Sequence, residues 1–220
     1  MIRQLPLFPL GTTLFPGATL NLHIFEERYR LMIARCLEQQ SPFGVVLIRE
    51  GDEVEEGRLG ARPAEPYTVG TAAEISANVR LEDGRYLLTA VGRERFRIQY
   101  VLQRAPYIIA SVAALPEERP AGAASAAAEL RATYERYWQA VAAATGVPAQ
   151  PEDLPDDPLD LAYHLADRLQ VSMARKQRWL EADLRTRLRE LAADLRAELA
   201  LMPTGQRKTG EGFSGMGSLN

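Results

Sequence analysis

The sequence predicts an α+β fold whose two kinds of element are segregated along the chain: a β-rich N-terminal part carrying one helix, then a helical bundle. Three observations carry this. Apolar residues recur at period two in the first half, at Leu5 and Leu7, at Leu20, Leu22 and Ile24, and at Val69, Ala73 and Ile75. After Leu115-Pro116 the composition shifts from strand-like runs to an alanine-rich stretch. Beyond it leucines recur at helical spacing, as in Leu161, Leu165 and Leu169 and again in Leu184, Leu188, Leu191, Leu195 and Leu199. With 220 residues, 46% apolar and 25% charged, the chain has room for one large domain or two small ones and an ordinary globular composition.

Residues 5–29 contain Pro6, Pro9 and Pro16, and interior proline removes a backbone donor and clashes with the preceding turn, so this stretch is no plain helix. It reads as an edge-type strand around Leu5 and Leu7, a turn at Phe15-Pro16-Gly17, a second strand around Leu22, and a helix start at Glu26. The helix, residues 26–39, sets Tyr29, Met32, Ile33, Cys36 and Leu37 on one stripe, and Glu26 and Glu27 complement its dipole. Ser41-Pro42 stops it, and residues 43–49 form a strand. Residues 50–66 are acidic and rich in Gly and Pro, a surface loop. Residues 67–79 form the next strand, and Asp83-Gly84 is a hairpin turn of the primed type leading into a return strand that reaches residue 98. Gly92 within that strand marks a bulge or a close backbone crossing. Residues 107–112 add one more strand.

Residues 116–124 read as a linker. Residues 125–145 form a helix with Gly146 as its C-terminal cap. Pro148, Pro151, Pro155 and Pro158 stiffen an acidic connector, at whose end Asp157-Pro158 starts a helix as N-cap and first-turn proline. Further helices begin after Ser172 and after Asp183, and Pro203 ends the last. Residues 204–220, Gly-rich and nearly free of large apolar side chains, read as a disordered tail. The predicted division is 1–116, 117–203 and 204–220.

No run approaches a membrane span, and the N-terminus lacks a basic-then-apolar signal pattern. Cys36 is the single cysteine, which excludes a disulfide framework and a thiolate metal cluster. The expectation is a cytoplasmic protein with neither cofactor nor metal. Net charge is −3; residues 1–115 carry 13 Arg and 13 acidic residues, and the remainder 13 basic and 16 acidic. Neither half has the basic excess that phosphate neutralisation wants.

Candidate chemistry is sparse. The run GQRKTG at 205–210 lacks the glycine before the lysine, and the preceding strand, of a phosphate loop. Ser172 and Lys176, four apart at a helix start, fit an N-cap and a solvated amine better than a nucleophile pair. His23 and His164 fall in different halves and read as a strand and a helix histidine rather than metal ligands. Glu26 and Glu27 point apart around the helix, and Cys36 sits on its apolar stripe as an inert core thiol. Arg93, Arg95 and Arg97 alternate along a strand and so share one face, with Phe96 and Ile98 on the other, and Arg85 and Arg104 extend the patch. That face reads as a surface for acidic peptides or RNA phosphates, or more simply as a solvated face paired with Glu82, Asp83 and Glu94. Arg28 and Arg30, flanking Tyr29, form a second candidate contact site, against the simpler reading of a core tyrosine between locally paired arginines.

The motifs, in order, resemble a known family. LPLFPL (5–10), LFPG (14–17), L-x-IFE-x-RY (22–29), VGTAAEI (69–75), DGRYLL (83–88), G-x-x-RF (92–96) and PY-x-x-A (106–110) are similar to the N-terminal substrate-binding domain of Lon proteases. K-Q-x-x-L-E (176–181) and L-x-x-RL-x-x-L (184–191) continue the resemblance through the helical half. The resemblance implies a PUA-like β-pseudobarrel followed by an α-helical bundle. It implies a module that holds unfolded or degron-bearing protein segments, linked to a protease or chaperone, with no enzymatic activity of its own. Lon proteases also carry an ATPase and a Ser-Lys protease domain; with no G-x-x-x-x-G-K-[ST] run present, the expectation is a stand-alone LON domain. RNA binding through the arginine face is the alternative. The candidate contact residues are Arg28, Tyr29, Arg30, Arg85, Arg93, Arg95 and Arg97.

Overall fold

The computed structural model describes residues 2–52, 63–148 and 153–202. Most of the predicted acidic loop, the middle of the proline connector, and the predicted tail with its GQRKTG run lie outside the described residues. The strands are β1 (Ile2–Leu10), β2 (Thr19–Ile24), β3 (Phe43–Glu50), β4 (Glu65–Pro66), β5 (Val69–Arg80), β6 (Tyr86–Gln103) and β7 (Ile108–Ala114). The helices are α1 (Glu27–Gln39), α2 (Ala123–Thr145), α3 (Pro158–Arg168), α4 (Met173–Glu181) and α5 (Leu184–Leu201). The fold is mixed α+β, with the strands preceding all helices but one.

Five strands close on themselves in the order β1–β7–β6–β5–β3 and back to β1, antiparallel at every step except β1 with β3. This corrects the reading of the first strand as an edge. β1 pairs with β7 up to Leu7 and with β3 from Leu7 to Leu10, so it is the strand that closes the ring. Beyond Leu7 its β7 side has no strand partner among the described residues, and Pro9 has a side on which no ladder donor is required.

The alternation of each strand sorts apolar residues between the inside and the outside of the ring. Leu5, Leu7, Val46, Ala72, Phe96, Ala110 and Val112 form one buried cluster that fills the inside. Gly44 makes room there, since a Cβ at that position would lie 2.7 Å from the Phe96 ring. One outer wall is covered by α1, whose Tyr29, Met32, Ile33 and Cys36 pack with Phe8, Phe43, Val45 and Leu88. The other is covered by the C-terminal helices, whose cluster takes in Phe15 and Val69 from the β-rich part.

Past the ring, β5 from Glu74 and β6 up to Val91 continue as a two-stranded ribbon, and β2 adds to the free side of β6. The ribbon ends in a loop of Glu82, Asp83 and Gly84. Leu81 N–H donates to Arg85 O at 2.8 Å, Gly84 N–H donates to Leu81 O at 2.9 Å, and only Gly84 takes a positive φ, +82°. That is a three-residue loop with a glycine bulge, in place of the primed two-residue turn expected from Asp-Gly.

The helix ends follow local chemistry. Asp157 accepts from Leu159 and Asp160 N–H, Ser172 from Arg175 N–H and Asp183 from Thr186 N–H, and Gly146 closes α2 at φ +73°. Lys176 departs from the solvated role expected of it: it is 8% exposed, and its Nζ donates to Asp167 O at 2.5 Å.

Candidate functional site

The seven candidate contact residues fall into separate places. Arg28, Tyr29, Arg30 and Arg85 converge where the start of α1 meets the ribbon loop. Arg28 pairs with Glu26 at 3.0 Å and lies over the Tyr29 ring, Arg85 pairs with Asp83 at 2.7 Å, and Arg30 donates to Asp83 O at 3.4 Å. Tyr29 is 3% exposed against Phe8, so it is a core residue and not a contact. Asp83 is held below the usual carboxylate range, chiefly by the Arg85 backbone N–H and further by the Arg85 side chain.

The expected single face of Arg93, Arg95 and Arg97 does not form. Between Ala72↔Glu94 and Ala73↔Gly92 the register slips, which leaves Arg93 as a bulge residue and breaks the alternation. The cause is distant in sequence. Gly92 passes so close to the chain at Phe15 that a Cβ would sit 2.3 Å from Phe15 O, and Gly17 N–H donates to Gly92 O at 2.9 Å. Arg93 pairs outward with Glu74 at 2.7 Å, Arg97 stays at the surface, and Arg95 is 4% exposed. Arg104 pairs with Glu65 instead of extending the patch. A continuous arginine surface for RNA is therefore absent among the described residues.

Arg95 points at the helices, where it anchors a buried polar junction that the sequence reading missed. Its Nη1 donates to Leu180 O at 2.5 Å and to Ala182 O at 2.9 Å, and its Nε lies 2.5 Å from Glu117 Oε1. Fully buried Arg187 donates from Nε to Trp179 O at 2.8 Å and from Nη2 to Ala182 O at 2.7 Å and Glu117 Oε1 at 3.2 Å, with its guanidinium 4.3 Å from the Tyr163 ring centroid. The Tyr163 hydroxyl donates to the same carboxylate oxygen. Two arginines thus cap the last carbonyls of α4, and Glu117, placed in the predicted linker, neutralises one charge. Burial pushes the Tyr163 phenol well above its usual value, with the two guanidiniums only partly offsetting it, so it stays protonated as a donor. The same burial lowers the Arg95 guanidinium. The junction is structural chemistry, with every charged member turned inward.

The ribbon also exposes apolar side chains. On the open face of the ribbon, His23, Leu87 and Val79 stand in one cross-strand row, and Asn21, Thr89 and Ala77 in the next. Val79 is 58% exposed and Leu87 47%, around a shallow depression of about 390 Å³ lined by no Asp, Glu, Lys or Arg. Thr89 Oγ1 donates to Asn21 Oδ1 at 2.9 Å, and the His23 ring lies 5.8 Å from that of Phe25, itself 46% exposed. The opposite face, with Tyr86, Leu88 and Ile24, is buried under α1. A signal for this row was present in the sequence: once Tyr86 and Leu88 face the core, period two forces Leu87 outward.

Among the described residues no group of three or more His, Cys, Asp or Glu is placed to hold a metal ion, and no helix is long and apolar enough to cross a membrane. His23 lies on the ribbon face and His164 on α3. Cys36 is 2% exposed, and burial raises its thiol above the usual value.

A sequence model of the ATP-dependent protease La (LON) substrate-binding domain matches residues 4–194. Lon protease 2 of Syntrophobacter fumaroxidans is 28% identical over 188 residues, which are 81% of this chain and 22% of that protein. Lon protease 2 of Myxococcus xanthus is 31% identical over 117 residues, 53% of this chain and 14% of that protein. The chain thus spans less than a quarter of the length of either relative. Among solved structures, the Lon N-terminal domain protein from Xanthomonas campestris is 26% identical with a TM-score of 0.57, covering 91% of this chain and 99% of that one. The N-terminal domain of Mycobacterium avium complex Lon protease, 18% identical with a TM-score of 0.63, covers 89% and 99% and is similar in fold.

Proposed function

Since the chain belongs to the ATP-dependent protease La (LON) substrate-binding domain family, we propose that it is a non-enzymatic substrate-recognition module that holds uncharged, apolar segments of unfolded or degron-bearing proteins on the open face of the ribbon. The observation that carries this is the exposure of Val79 and Leu87 side by side around a depression that no charged side chain lines. Exposed apolar residues scattered singly need no explanation, whereas a contiguous row flanked by polar residues marks an interaction site. In this reading residues 1–116 are a PUA-like pseudobarrel that presents the face, and residues 117–203 a helical bundle that braces it through the Arg95–Glu117–Arg187 junction. The held segment passes to a protease or chaperone in the cytoplasm.

The test is a broad array of tiled peptides from unfolded polypeptides, probed with the whole chain and with Val79→Thr/Leu87→Thr. Threonine keeps the strand preference while removing apolar surface. Full burial of a Val or Leu is worth about 1.5–3 kcal/mol, so the half-exposed pair should weaken binding by about tenfold or more. Leu102→Thr, on an exposed leucine farther along β6, should leave binding unchanged. No binding anywhere on the array refutes the proposal, as does equal binding by the double variant.

A further inference from the structure

The ribbon is open along its sides as well as its face, and the two sides differ. Gly92 N–H donates to Ala18 O at 2.9 Å, which starts the alternation between β2 and β6. Counting on from there, Leu20, Leu22 and Ile24 exchange hydrogen bonds with Ala90, Leu88 and Tyr86. The donation of Leu81 N–H to Arg85 O gives the same phase independently, since it turns the odd-numbered residues of this part of β6 toward β5. The N–H and C=O groups of Thr19, Asn21 and His23 therefore point away from β6, and β2 has no second strand partner among the described residues.

Exposed strand edges are ordinarily blunted by charge, proline or a bulge. The free edge of β5 has two of these, a register slip around Ser76 and the charge of Arg80. β2 reads Thr-Leu-Asn-Leu-His-Ile, uncharged and without proline, and pairs with β6 in unbroken register. Its outward backbone groups belong to residues whose side chains are exposed and stand beside Leu87 and Val79. A donor–acceptor row of this spacing suits an extended backbone, and the neighbouring depression, lined by no charged side chain, suits alternate apolar side chains.

We infer that β2 takes up a client segment as an added strand, with the segment's main chain bonded to Thr19, Asn21 and His23 and its alternate apolar side chains continuing the row of His23, Leu87 and Val79. This rests on the proposed reading of the ribbon face and names its ligand: an extended, uncharged segment recognised by its backbone as well as its side chains.

The test takes the strongest-binding peptide of the array and makes it in two forms, N-methylated at its odd or at its even residues. In an added strand only alternate amides face the host, so one form should lose binding and the other keep it. Each blocked hydrogen bond should weaken binding roughly two- to tenfold. On the protein side, Asn21→Pro removes an outward N–H while leaving the ladder groups of Leu20 and Leu22, and should weaken binding by a similar factor with an unchanged circular dichroism spectrum. If that variant does not fold, the peptide pair decides alone. Equal binding of the two N-methylated forms overturns strand addition while the loss on Val79→Thr/Leu87→Thr still upholds the apolar face; an array with no binder overturns the face itself. A concentration-dependent dimer in light scattering, abolished by Asn21→Pro, would give the edge to a second copy of the chain and overturn the client assignment.

Discussion

Replacing Glu117 with glutamine keeps the shape of the junction and removes its only negative charge. Arg187 is fully buried and Arg95 4% exposed, and both approach Glu117 Oε1, at 3.2 and 2.5 Å. Breaking a buried ion pair from one side costs about 3–5 kcal/mol, because the remaining charge stays desolvated. Here the guanidiniums keep their carbonyl partners at Trp179, Leu180 and Ala182, and the Glu117 side chain is 14% exposed, so the lower end applies, about 3 kcal/mol. For a chain of this size a urea m-value near the top of the usual range makes that a fall of about 1 M in midpoint. In a Trp138→Phe background Trp179, fully buried in α4, reports the junction by fluorescence, and far-UV circular dichroism reports the whole chain. Because the junction joins β6, α3 and α5 through one carboxylate, the two probes should separate in the variant. Adding Arg95→Met should restore part of the loss, since one unbalanced buried guanidinium then remains in place of two. A midpoint shift below about 0.3 M would refute the reasoning, and would mean that the α4 carbonyls alone neutralise both arginines.

Gly92→Ala places a Cβ 2.3 Å from a backbone oxygen, which cannot rotate away, and an overpacking cost of about 1–3 kcal/mol lowers Tm by roughly 3–10 °C in calorimetry. Asp157 and Asp183 lie below their unfolded values, the first chiefly through Arg119 and the second chiefly through the Thr186 N–H, so each contributes stability above the ordinary carboxylate pKa that is lost as pH falls through its folded value. Asp183→Asn should flatten this acid limb while keeping the cap, whereas Asp183→Ala should cost about 1 kcal/mol at neutral pH by urea titration. On the alkaline side Cys36 and Tyr163 are raised by burial, so the native state keeps protons the unfolded chain releases, and urea midpoints should fall as pH rises past about 9 and again past about 10. Lys176, lowered by burial, acts in the opposite sense, and Cys36→Ala should remove only the first of the two steps.

Where the structure follows local chemistry, the sequence was readable. Asp157, Ser172 and Asp183 start helices because a short polar side chain reaches back to the first turn, and Gly146 ends one because it tolerates a left-handed φ. The turn at Asp83-Gly84 was legible as a turn but not as a type, since loop length depends on which residues pair across it. Arg95 was misread because strand alternation assumes an unbroken register, and the register breaks where Phe15, far away in sequence, crosses Gly92. Glu117 sat in a segment with every mark of a linker; its partners lie on three other elements, and no local pattern announces them. The ribbon face was nearly legible. Parity alone turns Leu87 outward, but whether a second layer covers it is a tertiary fact.

The fate of the arginines also decides how a client is recognised. Residues 1–115 carry 13 arginines against 13 acidic residues, and the structure spends many of them on one another: Arg3 on Glu94, Arg28 on Glu26, Arg85 on Asp83, Arg93 on Glu74, Arg104 on Glu65. Arg95 is withdrawn into the junction altogether. Local pairing leaves little field to steer a charged ligand, and none of the charged side chains lines the depression around Val79 and Leu87. Recognition by apolar contact and backbone hydrogen bonds should then be nearly indifferent to salt, because screening acts on charges separated through solvent and not on burial. Fluorescence titration of the array's strongest peptide between 50 and 500 mM sodium chloride, a range over which the Debye length shrinks from well over 10 Å to under 5 Å, should change Kd by less than about twofold. A tenfold weakening over that range would show that charge carries the contact, and would return the binding site to Arg28, Arg30 and Arg85 at the tip of the ribbon.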